Sequence, residues 1–453
     1  MTVADMQDRR PSFLSRLLSA YGMFGVLMLL AAFFSVTTIQ EQQPTGEAAA
    51  RSLARQLDGT DLKGAAVVIV GRGGDEDARF ADALAQRVRD WTGVAPVVVM
   101  GDPAEARAAL VGVADQGVTR CVVATTQASV PVVRSILESL PALAGARVLT
   151  PASYRWPTFL LPENLRNVAN QIAVIAILAV GMTMVIVTGG IDLSVGSLIA
   201  LAAVVTASLI GRMGGEEAGT GAMVLGGLAT MVLCGAIGAF SGVMITRFRV
   251  PPFIATLAVM QVASGLAYII SEGRPVYRLP QSFVLLGRGA DPVLGIPWAV
   301  LLMGVLYAAA HVLMSRTTLG RYIYAVGGNA EAARLAGVRV AAVLLFVYAA
   351  CGALAGLGGV VMASQLRSGA PTYGLMYELY VIAAVVVGGT SLSGGEGTIH
   401  GTLVGAFIIA VIQNGMNLTH VESYTQKVVL GLVILGAVLL DRLKQRGTRR
   451  RVP

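Results

Sequence analysis

Two glycine-rich segments that carry hydroxyl and carboxyl side chains interrupt long apolar stretches of this chain. The first reads GGIDLSVGS at 189–197, and the second reads GGTSLSGGEG at 388–397. Both fit the pattern GG-x-[DS]-LS-x-G, and their first glycines are 199 positions apart (388 − 189). Such segments can unwind a helix and present backbone and hydroxyl groups to a polar ligand inside a membrane. They also fit two tight turns in which Asp192 and Ser194 cap the next helix, and the spacing leaves both interpretations open.

A charged segment at 315–340, SRTTLGRYIYAVGGNAEAARLAGVRV, lies between two further apolar stretches. Asn329 is a favourable helix N-cap, Glu331 falls in the first turn near the positive end of the helix dipole, and Gly337 supplies a C-terminal stop. The segment therefore predicts a short helix of about two turns outside the membrane. A helix in this position is available to a separate protein that pushes on it, whereas the alternative is an ordinary connecting loop.

The residue types used in catalysis, metal binding and ATP binding lack the spacing that those functions need. The histidines, cysteines and lysines are scattered at His311, His400 and His420, at Cys121, Cys234 and Cys351, and at Lys63, Lys427 and Lys444. No lysine completes the phosphate-binding pattern G-x-x-x-x-G-K-[ST]. We therefore predict no catalytic residue, no metal site and no cofactor, and any ATP hydrolysis must come from another subunit. Asp192 is the main carboxylate within the apolar stretches, which disfavours a carrier driven by protons or sodium.

The composition indicates a membrane protein. Hydrophobic residues make up 55% of the chain and charged residues 13%, against about 25% charged residues in soluble domains. The net charge of +8 comes from arginines beside apolar stretches, which does not suit nucleic-acid binding. Because a bilayer core of about 30 Å needs about 20 apolar residues, we predict ten transmembrane helices. They lie at 17–39, 168–188, 193–211, 221–246, 252–271, 297–314, 341–363, 377–393, 399–418 and 424–440.

Basic residues set the predicted orientation. Arg9, Arg10 and Arg16 precede the first apolar stretch, which lacks a cleavage pattern and is therefore expected to stay as a membrane span. With the N-terminus in the cytoplasm, most basic residues of the short loops lie inside, as the positive-inside rule requires. Both termini are then cytoplasmic, and the basic tail at 442–453 is expected to contact anionic membrane lipids.

Residues 41–160 contain no span and alternate between Val-rich strands and amphipathic helices. Strands are predicted at 64–70, 95–100, 121–126 and 146–150, and helices at 75–91, 103–117 and 130–140. This alternation is typical of a parallel, Rossmann-like α/β domain. Because it follows the first span, we expect it outside the cytoplasm. GRGG at 71–74 lacks the third glycine of the dinucleotide-binding pattern and is interpreted as a turn.

These patterns divide the chain into four parts. They are an N-terminal tail with the first span at 1–40, an α/β insert at 41–160, a helical bundle at 161–441 that contains the charged segment 315–340, and a basic tail at 442–453.

Three stretches, 167–201, 317–338 and 378–418, resemble the membrane permeases of ribose-type sugar ABC importers. The resemblance covers nearly all of residues 163–441 and the first span. It implies a transport subunit without chemistry of its own, located in the bacterial inner membrane. Such a subunit pairs with a second permease copy, most simply as a homodimer, and binds cytoplasmic ABC ATPase subunits. It receives its monosaccharide from a periplasmic sugar-binding protein.

The resemblance also implies roles for individual residues. The ATPase-coupling loop corresponds to Gly320, Arg321, Asn329, Glu331, Ala332, Arg334 and Gly337. Neutral hydroxyl and amide side chains suit a polyol, and together with Asp192 they are candidates for the translocation path. The candidates are Thr188, Asp192, Ser194, Ser197, Thr390, Ser393, Gln413, Asn414 and Asn417. Each of them also fits a hydrogen bond between helices.

The insert departs from this family, whose members pass from the first span to the second through a short loop. Its order of elements is similar to one lobe of a sugar-binding protein, and we expect it to act as a docking or gating platform. An idle insertion is the alternative. Two other functions stay open: a permease of the branched-chain amino-acid type, disfavoured because GGIDLSVGS resembles the sugar type, and a membrane sensor whose insert binds a ligand.

Overall fold

The computed structural model describes residues 13–58, 64–118 and 120–449. The tail at 1–12, with Arg9 and Arg10, and the end of the basic tail at 450–453 lie outside the described residues. The chain forms two compact units. One is Ile39–Thr158, and the other combines Met1–Thr38 with Phe159–Pro453. Helix α1 (Phe13–Thr37) opens the second of these, and the ring of Phe34 lies against Gly415 in the same unit.

The unit Ile39–Thr158 is an α/β domain. Its strands are β1 (Ile39–Gln42), β2 (Ala66–Gly71), β3 (Val97–Met100), β4 (Cys121–Thr125), β5 (Arg147–Leu149) and β6 (Tyr154–Pro157). Its helices are α2 (Gly46–Leu57), α3 (Asp75–Thr92), α4 (Pro103–Asp115) and α5 (Val130–Glu138). Strands β3, β2, β4 and β5 are neighbours in that order in a parallel sheet, and β1 pairs antiparallel with β6. Helix α2 and the β1–β6 ribbon were not predicted from the sequence.

Both faces of the parallel sheet are covered, which explains why its strands are continuously apolar. Ile69 on β2 packs with Leu53 of α2 and Phe80 of α3 on one face. Val68, the next residue on β2, packs with Leu110 of α4 on the other. Successive strand residues point to opposite faces, so a sheet covered on both sides needs an apolar residue at every position.

The other unit is a helical membrane bundle. After α1 its helices are α6 (Pro162–Val187), α7 (Val195–Arg212), α8 (Thr220–Arg247), α9 (Pro252–Ile270), α10 (Val284–Arg288), α11 (Trp298–Arg316), α12 (Thr318–Gly328), α13 (Ala330–Leu335), α14 (Val340–Leu366), α15 (Tyr377–Val387), α16 (Ile399–Leu418) and α17 (Ser423–Arg449). Within the described residues, seven helices are long and apolar enough to cross a bilayer: α6, α7, α8, α9, α11, α14 and α16. The expectation of a polytopic helical membrane protein is confirmed.

One predicted span is much shorter than expected. The sequence placed a transmembrane helix at 377–393, but α15 has 11 residues and is about 16 Å long, roughly half the bilayer core. It begins where Gly374 and Met376 adopt positive φ angles of 71° and 68°, and it ends before Gly388. The irregular segment 367–376 precedes it, and a β-carbon at Gly374 would collide with the carbonyl of Gly196 on α7. This segment is held by α7 as an irregular chain, a feature that hydropathy does not reveal.

Helices α8 and α14 approach each other closely through small residues. A β-carbon at Gly238 would collide with the Tyr348 carbonyl, and one at Gly352 would collide with the Cys234 carbonyl. Helices α6 and α14 meet in the same way, because a β-carbon at Gly181 would lie 2.7 Å from the Cα of Cys351. In lipid, the hydrophobic effect gives little driving force for the association of helices. Close backbone packing of this kind therefore helps to hold them together.

We predict that Gly352→Ala destabilises the bundle by about 2 kcal/mol, because α8 must move away from α14 to make room for the methyl group. Gly304→Ala on α11 is the matched control, since a β-carbon there has nothing within 4 Å. Thermal unfolding of both variants in the same detergent should give a lowered melting temperature for Gly352→Ala and an unchanged one for Gly304→Ala. Equal melting temperatures for the two variants would contradict this account of the packing.

Candidate functional site

The charged segment folds into two short helices, α12 and α13, joined at Asn329. The Asn329 Oδ1 accepts hydrogen bonds from the backbone amides of Glu331 at 3.0 Å and Ala332 at 2.9 Å. The predicted N-cap is therefore confirmed. Glu331 lies in the first turn and pairs with Arg334 at 2.6 Å, and both side chains are exposed. Gly337, with a φ of 87°, follows the end of α13.

Helix α13 presents a partly apolar surface to its surroundings. Ala332, Leu335 and Ala336 are exposed, and Leu335 is 80% exposed, whereas Ala333 is buried. At the base of the segment, the Thr317 hydroxyl caps α12 by accepting from Gly320 N at 3.1 Å. A β-carbon at Gly320 would collide with carbonyls at the end of α11. Arg321, in the same turn, is exposed.

Glycines bring α12 and both polar interruptions together at one point. A β-carbon at Gly327 would collide with the Val187 carbonyl and lie 2.7 Å from the Gly395 amide nitrogen. The Gly395 amide donates to the Val187 carbonyl at 2.9 Å. A β-carbon at Gly394 would lie 2.8 Å from the Gly327 carbonyl oxygen and 3.0 Å from the Gly189 amide nitrogen. We call this cluster of Val187, Gly189, Gly327, Gly394 and Gly395 the glycine junction.

Polar side chains beside the glycine junction are buried, and several polar atoms have no partner. Asp192 is fully buried, and its Oδ1 accepts from the Ser194 amide at 2.9 Å and hydroxyl at 2.6 Å. The capping alternative is therefore right only in part: Asp192 closes the turn before α7, while the Ser194 hydroxyl bonds Asp192 and not the helix. Within the described part of the chain, the Tyr348 hydroxyl and Thr390 Oγ1 have no hydrogen-bond partner, and the Cys351 thiol lies beside the Asp192 carboxyl group. Buried polar atoms left without partners are rare and mark functional or strained sites.

A separate cavity of about 190 Å³ lies at the start of the half-length helix α15. The residues around it come from α6, α15, α16 and α17. They are Val168, Gln171, Ile172, Ile175, Tyr377, Tyr380, Ala410, Gln413, Asn417 and Gln426. Gln413 and Asn417 were expected from the sequence as path residues, whereas Gln171, Tyr377, Tyr380 and Gln426 were not. The sequence did contain a signal for Gln171, because this residue is a glutamine within an apolar helix.

The remaining path candidates lie elsewhere. Asn414 forms a reciprocal amide pair with Asn164 at 2.9 and 3.0 Å, which links α16 to α6, and it is not among the residues that line the cavity. The Thr188 hydroxyl donates to the Val185 carbonyl at 2.7 Å. Ser197 lies half-buried in the first turn of α7, and Ser393 lies in the turn of the second interruption, where its amide donates to the Ser391 hydroxyl at 3.2 Å.

The family described as "branched-chain amino acid transport system / permease component" matches residues 164–438. The chain belongs to this permease family. The match covers the charged segment, both polar interruptions and the residues that line the cavity, and it leaves the α/β unit outside. No solved structure matches the chain.

Curated relatives of this permease are named as permeases for sugars. The chain is 46% identical over 292 residues to the ribose import permease protein of Escherichia coli (strain K12), covering 64% of this chain and 88% of the relative. It is 45% identical over 290 residues to the ribose import permease protein of Bacillus subtilis (strain 168), covering 64% and 87%. It is 37% identical over 293 residues to the L-arabinose ABC transporter permease protein of Azospirillum brasilense, covering 65% and 84%. The resemblance to monosaccharide ABC permeases is thus confirmed.

The glycine junction of this permease can be tested with two adjacent residues. Gly327→Ala should destabilise the protein by at least about 2 kcal/mol and abolish uptake, because its methyl group meets backbone atoms that cannot move independently. Gly328→Ala is the control, since a β-carbon at 328 has nothing within 4 Å. Substrate uptake and the amount of folded protein in the membrane should both fall for Gly327→Ala alone. If the two variants behave alike, the junction does not constrain the structure.

Proposed function

We propose that this chain is the membrane permease subunit of a bacterial ABC importer for a ribose-like monosaccharide. The observation that carries the proposal is the 46% identity to a ribose import permease over 88% of that protein's length. The surroundings of the cavity agree with a neutral substrate, because the described residues that line it carry carboxamides, phenols and apolar groups and no carboxylate or cation. An amino acid carries two charges that would need such partners on leaving water, which disfavours a branched-chain amino acid as substrate.

The topology that goes with this function has ten spans. Seven are the long helices, and three shorter apolar stretches, Gly22–Thr37, Tyr377–Val387 and Ser423–Gly436, supply the others within the described residues. Both termini then lie in the cytoplasm of a cell whose inner membrane holds the protein. The unit Ile39–Thr158 follows the first span and is extracytoplasmic. It lies on the side from which a periplasmic sugar-binding protein arrives, which suits a docking or gating platform better than an isolated sensor.

Coupling to ATP hydrolysis runs through α13. The exposed apolar residues Ala332 and Leu335 can be buried in a groove of an ATPase subunit, while Glu331 and Arg334 fix the orientation. The coupling set is Gly320, Arg321, Asn329, Glu331, Ala332, Arg334 and Gly337. Because α12 connects α13 to the glycine junction, ATP-driven movement of the partner reaches both polar interruptions. A second permease copy completes the transporter, and alternating access in this dimer moves the sugar.

The sugar path includes hydroxyl and amide groups on both sides of the junction. Its proposed members are Thr188, Asp192, Ser194, Ser197, Thr390, Ser393, Gln413, Asn414 and Asn417. Transient hydrogen bonds with neutral groups allow the sugar to leave again, which a path must permit. The basic tail beyond Asp441 contacts anionic lipid at the inner surface.

The proposed topology predicts opposite labelling of two introduced cysteines. Cys121, Cys234 and Cys351 are buried, so they give little background. An impermeant thiol reagent should label Val94→Cys in intact cells, because Val94 is 68% exposed in the insert. It should label Glu331→Cys only after the membrane is permeabilised, so that the reagent reaches the cytoplasmic side. Labelling of the Glu331→Cys variant from outside would contradict both the orientation and the importer function.

The proposed coupling predicts a specific loss on Leu335→Asp. A carboxylate at the exposed apolar surface of α13 should prevent burial in the ATPase, so that co-purification of the ATPase and sugar uptake both fall by at least about tenfold. Val293→Asp is the control, because Val293 is 85% exposed in the segment before α11. Normal co-purification and uptake with Leu335→Asp would show that α13 is not the contact.

A further inference from the structure

The cavity lies at the opposite end of two helices from the glycine junction. Helix α6 lines the cavity with Gln171 and ends at Val187, whose carbonyl belongs to the junction. Helix α15 lines it with Tyr377 and Tyr380 and ends just before the second polar interruption. Any displacement of the junction along these helices therefore changes the walls of the cavity.

The cavity lies near one end of the bundle, where α15 and α17 begin and α16 ends. Gln171 lies nine residues after the start of α6, or about 14 Å along its axis. The half-length helix α15 starts at the cavity, so its positive dipole end is next to the cavity space. Transporters form substrate sites where interrupted helices begin or end.

Two of the amides are available to a ligand. Among the described residues, the exposed Gln171 and the half-buried Gln413 make no hydrogen bond, and each amide can both donate and accept. Asn417 and Gln426 are already oriented, because Gln426 Nε2 donates to Asn417 Oδ1 and to the Val421 carbonyl, both at 2.8 Å. Because these amides both donate and accept hydrogen bonds, they suit hydroxyl groups, which also donate and accept.

The rest of the lining is apolar. The rings of Tyr377 and Tyr380 meet edge to face with centroids 6.1 Å apart, and Val168, Ile172 and Ile175 face them from α6. Phenol rings offer an apolar surface together with a polar tip, which suits a ligand with C–H and O–H faces. A volume of about 190 Å³ is below the ~300–1,000 Å³ of drug-sized ligand sites and corresponds to one small ring.

From these observations we infer that this cavity binds one neutral monosaccharide within a single permease protomer, with Gln171 and Gln413 as its principal hydrogen-bonding groups. This inference rests on the proposed function. It adds a defined stage to transport: the sugar is held between α6, α15 and α16 before the junction moves. Gln171, Tyr377, Tyr380 and Gln426 thereby join the substrate-binding residues.

Protection of an introduced cysteine tests the inference directly. In cells of the native host, Gln413→Cys is treated with a small thiol reagent, with and without D-ribose, L-arabinose, D-xylose or D-galactose. The transported sugar should slow labelling about tenfold at ten times its dissociation constant, because the occupied cavity excludes the reagent. Gln281→Cys, an exposed position before α10, should be labelled at the same rate with or without sugar.

Loss of the two free amides gives a second measurement. Gln171→Leu together with Gln413→Leu keeps the side chains similar in size and removes their hydrogen-bonding groups, so uptake should fall by at least about tenfold at equal amounts of membrane protein. Gln281→Leu is the matched control and should transport normally.

The outcomes separate this inference from the proposed function. If cells with the unaltered permease take up a sugar that neither protects the Gln413→Cys variant from labelling nor depends on the two amides, the cavity is not its binding site and the importer function stands. If the permease takes up none of the four sugars, the proposed function is wrong and the cavity assignment is wrong with it.

Discussion

The approach of three backbone segments at Gly327 is the contact on which the membrane unit depends. An interrupted helix leaves N–H and C=O groups open, and such groups need hydrogen-bond partners when protein buries them. The structure satisfies several of them locally: the Gly395 amide donates to the Val187 carbonyl at 2.9 Å, and the Tyr324 hydroxyl donates to the Gly397 carbonyl at 2.7 Å. A side chain at 327 would separate these segments. The absence of a β-carbon therefore allows two distant interruptions to support each other.

The same contact gives the bundle a direct connection between the exposed helix α13 and its interior. Asn329 ends α12 and starts α13, so Gly327 of the junction and Ala330, the first residue of α13, are three positions apart along the chain. Helices α6 and α15 then continue from the junction to the cavity. Because packed helices move as rigid bodies more readily than they deform, the coupling proposed for α13 would displace whole helices. Close glycine contacts also hold α8 and α14 against each other.

The α/β unit follows a different physical logic. Its core is its own, with apolar side chains on both faces of the sheet, and its chain ends are joined by the β1–β6 ribbon through the pair Ile39 and Pro157. An insertion whose ends are held together closes a loop of about 120 residues at small entropic cost to the host. This explains how a family whose match begins at residue 164 can carry the unit after its first apolar helix.

The sequence alone determined the features that depend on neighbouring residues. Seven of the predicted apolar stretches, the Asn329 cap and the alternation of strand and helix between Ala66 and Leu149 are local properties, and the residues that form them predicted each of these features. Tertiary structure decided the rest. Hydropathy could not show that the span predicted at 377–393 is an 11-residue helix, because its start is set by contacts of Gly374 with α7. Nor could spacing show that the two interruptions meet at Gly327, or that Asn414 pairs with Asn164 across 250 positions while Gln413, one residue earlier, faces a cavity. Whether a polar side chain on a helix contacts a ligand or another helix depends on which helix packs beside it. The packing of the whole bundle determines this.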